Sequence, residues 1–181
     1  MENRGTFVIR EVELLDVVKI YRMYRSLSSE SKRLFHPFPE TPFNPRFFQT
    51  WVVFSLSSIK PLRNLLLRVL PRLVYFSICC EYSGEVIGFA FIHLKNKAYG
   101  ELGIVVRDGF QGRGIGSRLM KKIIGLARKN KLKKIHLTVL ADNYKAIKLY
   151  EKFGFKKTRI IRGGDVYNSK KYDIIEMWLT L

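Results

Sequence analysis

Residues 7–12 alternate weakly between apolar and polar side chains, as a half-buried strand does. The period then lengthens, and Leu14, Leu15, Val18, Ile20, Tyr21 and Tyr24 recur at helical spacing to about residue 27. Asp16 falls in the first turn of that helix, where its charge suits the dipole. Four prolines from 37 to 45 forbid a regular helix and predict an ordered, aromatic-rich loop. Helical candidates follow at 47–58 and 62–70, separated by Pro61 and closed by Pro71. From residue 73 the texture becomes an antiparallel meander, with strands at 73–82, 86–94 and 99–106, a Ser83-Gly84 turn and a polar turn at Asn96. Helical spacing returns after Gly116: Leu119, Met120, Ile123, Ile124 and Ala127 share one side, and Arg118, Lys121, Lys122, Arg128 and Lys129 the other. A strand at 135–140, a short helix at 143–152 and strands at 155–161 and 174–179 complete the pattern, without internal repeats.

The 181 residues, 47% hydrophobic and 27% charged, suit one soluble domain spanning 1–181. The two cysteines, Cys79 and Cys80, are strand neighbours that point to opposite faces, so they are not expected to pair, and a reducing, cytoplasmic location is favoured. The N-terminus lacks the long apolar core of a secretory signal, and charges and prolines interrupt the apolar stretch 51–80 too often for a membrane span. A formal charge of +18 favours anionic partners, although a Lys-rich soluble surface accounts for it equally well.

The segment Gln111-Gly112-Arg113-Gly114-Ile115-Gly116 marks the passage from the strand at 99–106 to a helix. A helix's first turn presents backbone N–H groups without intrahelical acceptors, together with partial positive charge, and glycines let a phosphate approach them. Three nucleotide-binding patterns compete. A Walker loop needs Gly-Lys-Ser/Thr, but Gly116 is followed by Ser117 and Arg118. A dinucleotide fingerprint needs Gly-x-Gly-x-x-Gly and a downstream ribose carboxylate, but residues 109–141 contain no Asp or Glu.

The third pattern uses more of the chain. Gln111-x-x-Gly114-x-Gly116, preceded by the strand Glu101-Leu102-Gly103-Ile104-Val105-Val106, resembles the coenzyme A motif of the GNAT superfamily of N-acetyltransferases. Asn143-x-x-Ala146-x-x-Leu149-Tyr150-x-x-Phe153-Gly154-Phe155 resembles the second motif of that family. The likeness covers roughly residues 73–181, while the stretch 34–71 is longer than the family leads one to expect. It implies an α+β fold of GNAT type, a mixed, mostly antiparallel sheet of six or seven strands flanked by helices. It also implies acetyl-CoA as co-substrate and transfer of its acetyl group to a primary amine by direct attack in a ternary complex.

Site residues follow from the same resemblance. The backbone of Ile104, Val105 and Val106 would pair with the pantetheine arm and offer an N–H to the thioester carbonyl, in the manner of an oxyanion hole. Gln111, Gly112, Arg113, Gly114, Ile115, Gly116 and Ser117 would hold the pyrophosphate; Arg118, Lys121 and Lys122 would add charge there, although an exposed helix cation is more often merely solvated. Tyr150 matches the general acid that protonates the departing thiolate. Asn143 would cap its helix, touch the pantetheine arm, or do both. Glu101 is the candidate base for the attacking amine, set against a purely structural ion pair. His93 and His136 sit in apolar strand runs, where packed imidazoles are commoner than bases. No residue group has metal-ligand spacing, and no metal is expected.

The acceptor is expected between the extended segment at about 34–71, with Phe35, His36, Phe38, Phe43, Phe47, Phe48 and Trp51, and a loop at 162–171. The positive charge disfavours a polyamine and suits an acidic peptide, a protein N-terminus or a lysine in acidic surroundings. Two other functions compete. A basic nucleic-acid-binding module would use the nine Lys and Arg of residues 109–141, without a recognised nucleic-acid motif. A non-catalytic sensor of the same fold would bind coenzyme A alone.

Overall fold

The computed structural model describes residues 6–35, 59–69 and 75–181. The helix expected at 47–58 and six of the aromatic acceptor candidates, from His36 to Trp51, lie outside these residues. Twelve elements are described in chain order: β1 (Val8–Glu11), α1 (Asp16–Arg25), α2 (Ser29–Leu34), α3 (Lys60–Val69), β2 (Tyr75–Tyr82), β3 (Glu85–Leu94), β4 (Tyr99–Val106), α4 (Ile115–Lys129), β5 (Lys134–Leu140), α5 (Tyr144–Lys152), β6 (Lys156–Tyr167) and β7 (Lys170–Thr180). Seven strands form one sheet in the order β1-β2-β3-β4-β5-β7-β6. Every pairing is antiparallel except β4 with β5. The chain thus has the α+β fold that its glycine and asparagine motifs suggested.

Both faces of the sheet are covered, which explains why β3 reads as a continuous apolar run rather than an alternating one. On one face Phe76, Ile78, Ile87 and Ile92 pack under Leu119, Met120 and Ile123 of α4. On the other, Phe89, Phe91 and Val105 pack under Ile20, Met23 and Tyr24 of α1. Asp16 opens α1 and is 3% exposed. Arg10 reaches it from β1 with a 2.8 Å bond from Nη2 to Oδ1, and the Glu13 N–H donates to Oδ2 at 2.8 Å. Burial opposes this charge, but the donated bonds outweigh it and hold the carboxyl below its ordinary range. Cys79 and Cys80 are buried free thiols, and burial pushes Cys79 up to about 12. Among the described residues no helix is long and apolar enough to cross a membrane.

The loop expected at 162–171 is instead a hairpin. β6 continues to Tyr167, and Asn168 and Ser169, both at positive φ, turn the chain into β7. Strand register shifts between Ile161 and Asp165, so the extra residues around Gly163 and Gly164 form a bulge. A bulge breaks the two-residue period, which is why this part of the strand reads as a loop.

Candidate active site

The central observation is a gap between two neighbouring strands. Parallel pairing of β4 with β5 covers only Tyr99, Gly100 and Glu101 against Lys134, Ile135 and His136, after which the strands separate. The direction of the β4 amides beyond that point follows from the antiparallel ladder on its other side. The Arg107 N–H donates to the Ile87 carbonyl at 2.8 Å, so in the register of β3 with β4 the odd residues 101, 103 and 105 bond to β3. The even residues Leu102, Ile104 and Val106 therefore turn their N–H and C=O groups into the gap. The 3.1 Å bond from Gln111 Nε2 to the Val106 carbonyl agrees with this direction. Val105 borders the groove but turns its own backbone toward β3, so Ile104 and Val106 are the expected residues that offer backbone groups.

A groove of about 680 Å3 follows the gap. Gln111, Gly112, Ile115 and Gly116 border one end, and Asn143, Leu149 and Tyr150 form a side. Gly112 and Gly114 adopt φ of +76° and +78°, a left-handed conformation that side chains with a Cβ resist. Gly114 is also the N-cap of α4, whose first turn contains no acid, so its leading amides are free to meet an anion. Ser117 follows in that first turn. Arg113 is exposed, with its guanidinium 5.2 Å from the centre of the Phe110 ring. Arg118, Lys121 and Lys122 do not border this groove; they lie farther along the helix, beside β1.

Asn143 caps α5, its Oδ1 accepting from the Ala146 N–H at 3.2 Å. That cap fixes the start of the helix whose second turn carries Tyr150 to the groove. Tyr150 is 7% exposed, and burial alone drives its pKa upward, so the phenol keeps its proton at neutral pH. The ring packs 5.9 Å from that of Phe155.

A second cavity of about 420 Å3 opens on the α1 face of the sheet and shares Leu34, Phe35, Leu102, Gly103, Thr138 and Val139 with the groove. Glu101 lies here, where Lys95 Nζ meets its Oε2 at 2.6 Å. Tyr75, Phe91 and His93 add an aromatic wall, and Gly164 and Asp165 of the β6 bulge close another side. His93 stacks on Tyr75 with ring centres 4.4 Å apart, and His136 packs 4.6 Å from Trp178. Burial pulls His136 below its ordinary pKa, against the upward influence of Glu101 and Glu176. Glu101 and Tyr150 thus reach the same strand gap from opposite faces of the sheet.

Helix α2 spans the gap, a feature with no counterpart in the motif reading. At its start Asp108, just beyond β4, accepts from the Ser28 N–H at 2.7 Å and from the Ser31 hydroxyl at 2.6 Å. Burial opposes the Asp108 charge, yet these bonds hold its pKa below the ordinary range. At its end Arg33 donates to Asp142, just beyond β5, at 2.9 Å and lies 5.0 Å from the Tyr172 ring. The spacing Ser28-x-x-Ser31 is a readable helix-capping signal, and Ser28 Oγ does accept from the Ser31 N–H. No sequence signal joins Asp108 or Asp142 to that helix, because the partners are 77 and 109 residues away.

Comparison with known proteins decides the family. The model of the acetyltransferase (GNAT) family matches residues 24–155. The chain belongs to the GNAT acetyltransferase family. It is 33% identical over 91 residues to the spermine/spermidine N(1)-acetyltransferase of Bacillus subtilis, covering 45% of this chain and 60% of that protein. It is 31% identical over 98 residues to the N-alpha-acetyltransferase RimI of Mycobacterium tuberculosis, covering 49% and 60%. The matched stretch therefore spans less than two thirds of either relative. The structure of yncA from Salmonella typhimurium with its cofactor acetyl-CoA superposes with a TM-score of 0.68 at 20% identity, covering 97% of this chain and 94% of that one. This GNAT chain thus shares a fold that in one solved neighbour holds acetyl-CoA.

Proposed function

We propose that the protein is an acetyl-CoA-dependent N-acetyltransferase acting on a primary amine. The observation that carries this reading is the opening between β4 and β5. It has a glycine-lined helix start at one end, a buried phenol on one face and a carboxylate-bearing cavity on the other. Bound acetyl-CoA supplies an activated acetyl thioester. Gly112 to Ser117 hold its pyrophosphate through backbone N–H groups, and Ile104 and Val106 bind the pantetheine amides as an added strand would. Fixed N–H donors of β4 also polarise the acetyl carbonyl without reorganising. Tyr150 holds its proton in readiness for the leaving sulfur, and Glu101 takes one from the amine directly or through water.

The acceptor enters through the cavity of Tyr75, Phe91 and Glu101. The +18 charge slows approach of a polycation, so an amine in acidic or neutral surroundings, such as a protein N-terminus, fits better than a polyamine. One relative is named for polyamine acetylation and another for N-alpha-acetylation, which makes this choice a direct experiment. Coenzyme A release from acetyl-CoA is followed over a panel of peptides, polyamines, aminoglycosides and amino acids. Turnover on peptides with acidic flanks is expected. Acetyl-CoA binding without turnover on any amine would leave a sensor in place of an enzyme.

A further inference from the structure

The cations on the polar side of α4 gather at a groove of their own. Arg118, Lys121, Lys122 and Lys129 border a space of about 520 Å3 between α4 and β1, lined also by Ile9, Ile78 and Leu126. None of the four has a carboxylate within 4.0 Å among the described residues. Glu11, the one acid among the described lining residues, is held by Arg63 of α3 at 3.1 Å. Like charges at helical spacings of three and four repel, and nothing inside the described structure relieves them.

Gly125 supplies an independent observation. It sits in the middle of α4, exposed, between Lys122 and Lys129. A Cβ there would meet nothing within 4 Å, and the backbone does not need a left-handed conformation. Glycine weakens a helix interior, and neither packing nor backbone geometry requires it at this position. Its effect is to leave the groove open between the cations.

We infer that this groove docks an acidic segment of a partner protein, lying extended along α4 and β1. The stretch from Arg118 to Lys129 covers roughly 16 Å at the helical rise, a length that about five extended residues span. An apolar side chain of such a segment fits beside the partly exposed Ile9 and Leu126, while its carboxylates meet the rim cations. Among the described residues β1 is one of the two edge strands of the sheet, so its outer flank can accept backbone pairing as well. A nucleic-acid strand fits less well because the described lining offers no aromatic ring for a base. A bilayer fits less well because the apolar surface is recessed rather than projecting. This docking role is independent of acetyl transfer.

Fluorescence anisotropy with a fluorescein-labelled, N-acetylated octapeptide alternating Glu and Leu tests the inference without offering an acceptor amine. Binding is expected at physiological ionic strength and is expected to weaken at least about tenfold in Lys122→Glu/Lys129→Glu. A comparable loss is expected in Gly125→Phe, which fills the groove. Unchanged acetyl-CoA affinity in both variants shows that they are folded. The inference is overturned if an alternating Gln and Leu peptide binds as tightly or if both variants keep full affinity. Binding of phosphatidylglycerol vesicles or single-stranded DNA without binding of the acidic peptide overturns it too.

Discussion

The proposed coenzyme groove and the proposed acceptor cavity share a wall but draw their binding groups from different materials. The groove has side chains such as Asn143, Leu149 and Tyr150 along its side, but the polar groups proposed to hold the coenzyme are backbone: the glycine turn, the first amides of α4, and strand groups left unpaired where β4 leaves β5. The proposed acceptor cavity is lined by residues from α2, β2, β3, β4, β5, the β6 bulge and β7, brought together from residues 34 to 174. Backbone chemistry depends on conformation, which a few glycines announce locally. Side-chain chemistry depends on which distant residues meet. Recognition of a constant co-substrate is therefore readable from a short motif, while recognition of the acceptor is not.

The largest test of this contrast is Tyr150→Phe, a side chain that acts at the proposed coenzyme groove. Its kcat is expected to fall ~10²-fold to 10⁴-fold with acetyl-CoA affinity unchanged, as general acid catalysis predicts. Because burial raises the phenol pKa, no loss of activity from deprotonation of Tyr150 is expected as pH rises toward 10. A wild-type kcat in the phenylalanine variant would remove Tyr150 from the chemistry. Gly114→Asp comes next. It forces a Cβ into left-handed backbone and sets a negative charge at the helix start, and calorimetry should show acetyl-CoA affinity falling about 100-fold.

On the acceptor side, Glu101→Gln is expected to lower kcat about tenfold, less than a full general-base effect because water can relay the proton. Lys95→Met is the companion: it removes the 2.6 Å ion pair and should change kcat a few-fold if Glu101 is the base. An unchanged kcat in both variants would reduce the pair to a structural contact. The smallest effect belongs to the tie across the gap. Arg33→Ala and Asp142→Ala should each raise the acceptor KM a few-fold, with a coupling of about 0.5–1 kcal/mol in the double-mutant cycle. Additive losses would show that α2 holds its place over the gap without that bridge.

The sequence by itself determined the strand-to-helix turn at Gln111 to Gly116, the capped helix at Asn143 and the position of Tyr150, because each rests on local conformation or helical spacing. It also marked Glu101 as the acid on the decisive strand. The separation of β4 from β5 was invisible, since pairing between strands some 35 positions apart leaves no local trace. So were the ties of Asp108 to Ser28 and of Arg33 to Asp142, which join residues with no periodic relation. The bulge around Gly163 and Gly164 turned an expected loop into a strand wall because it interrupts the alternation that identifies strands. Arg118, Lys121 and Lys122 show the same limit from another side. Their sequence proximity to the glycines suggested the cofactor, but helix rotation carries them away to β1. Local conformation was legible in the order of residues, whereas shared surfaces were decided by the packing that brought distant residues together.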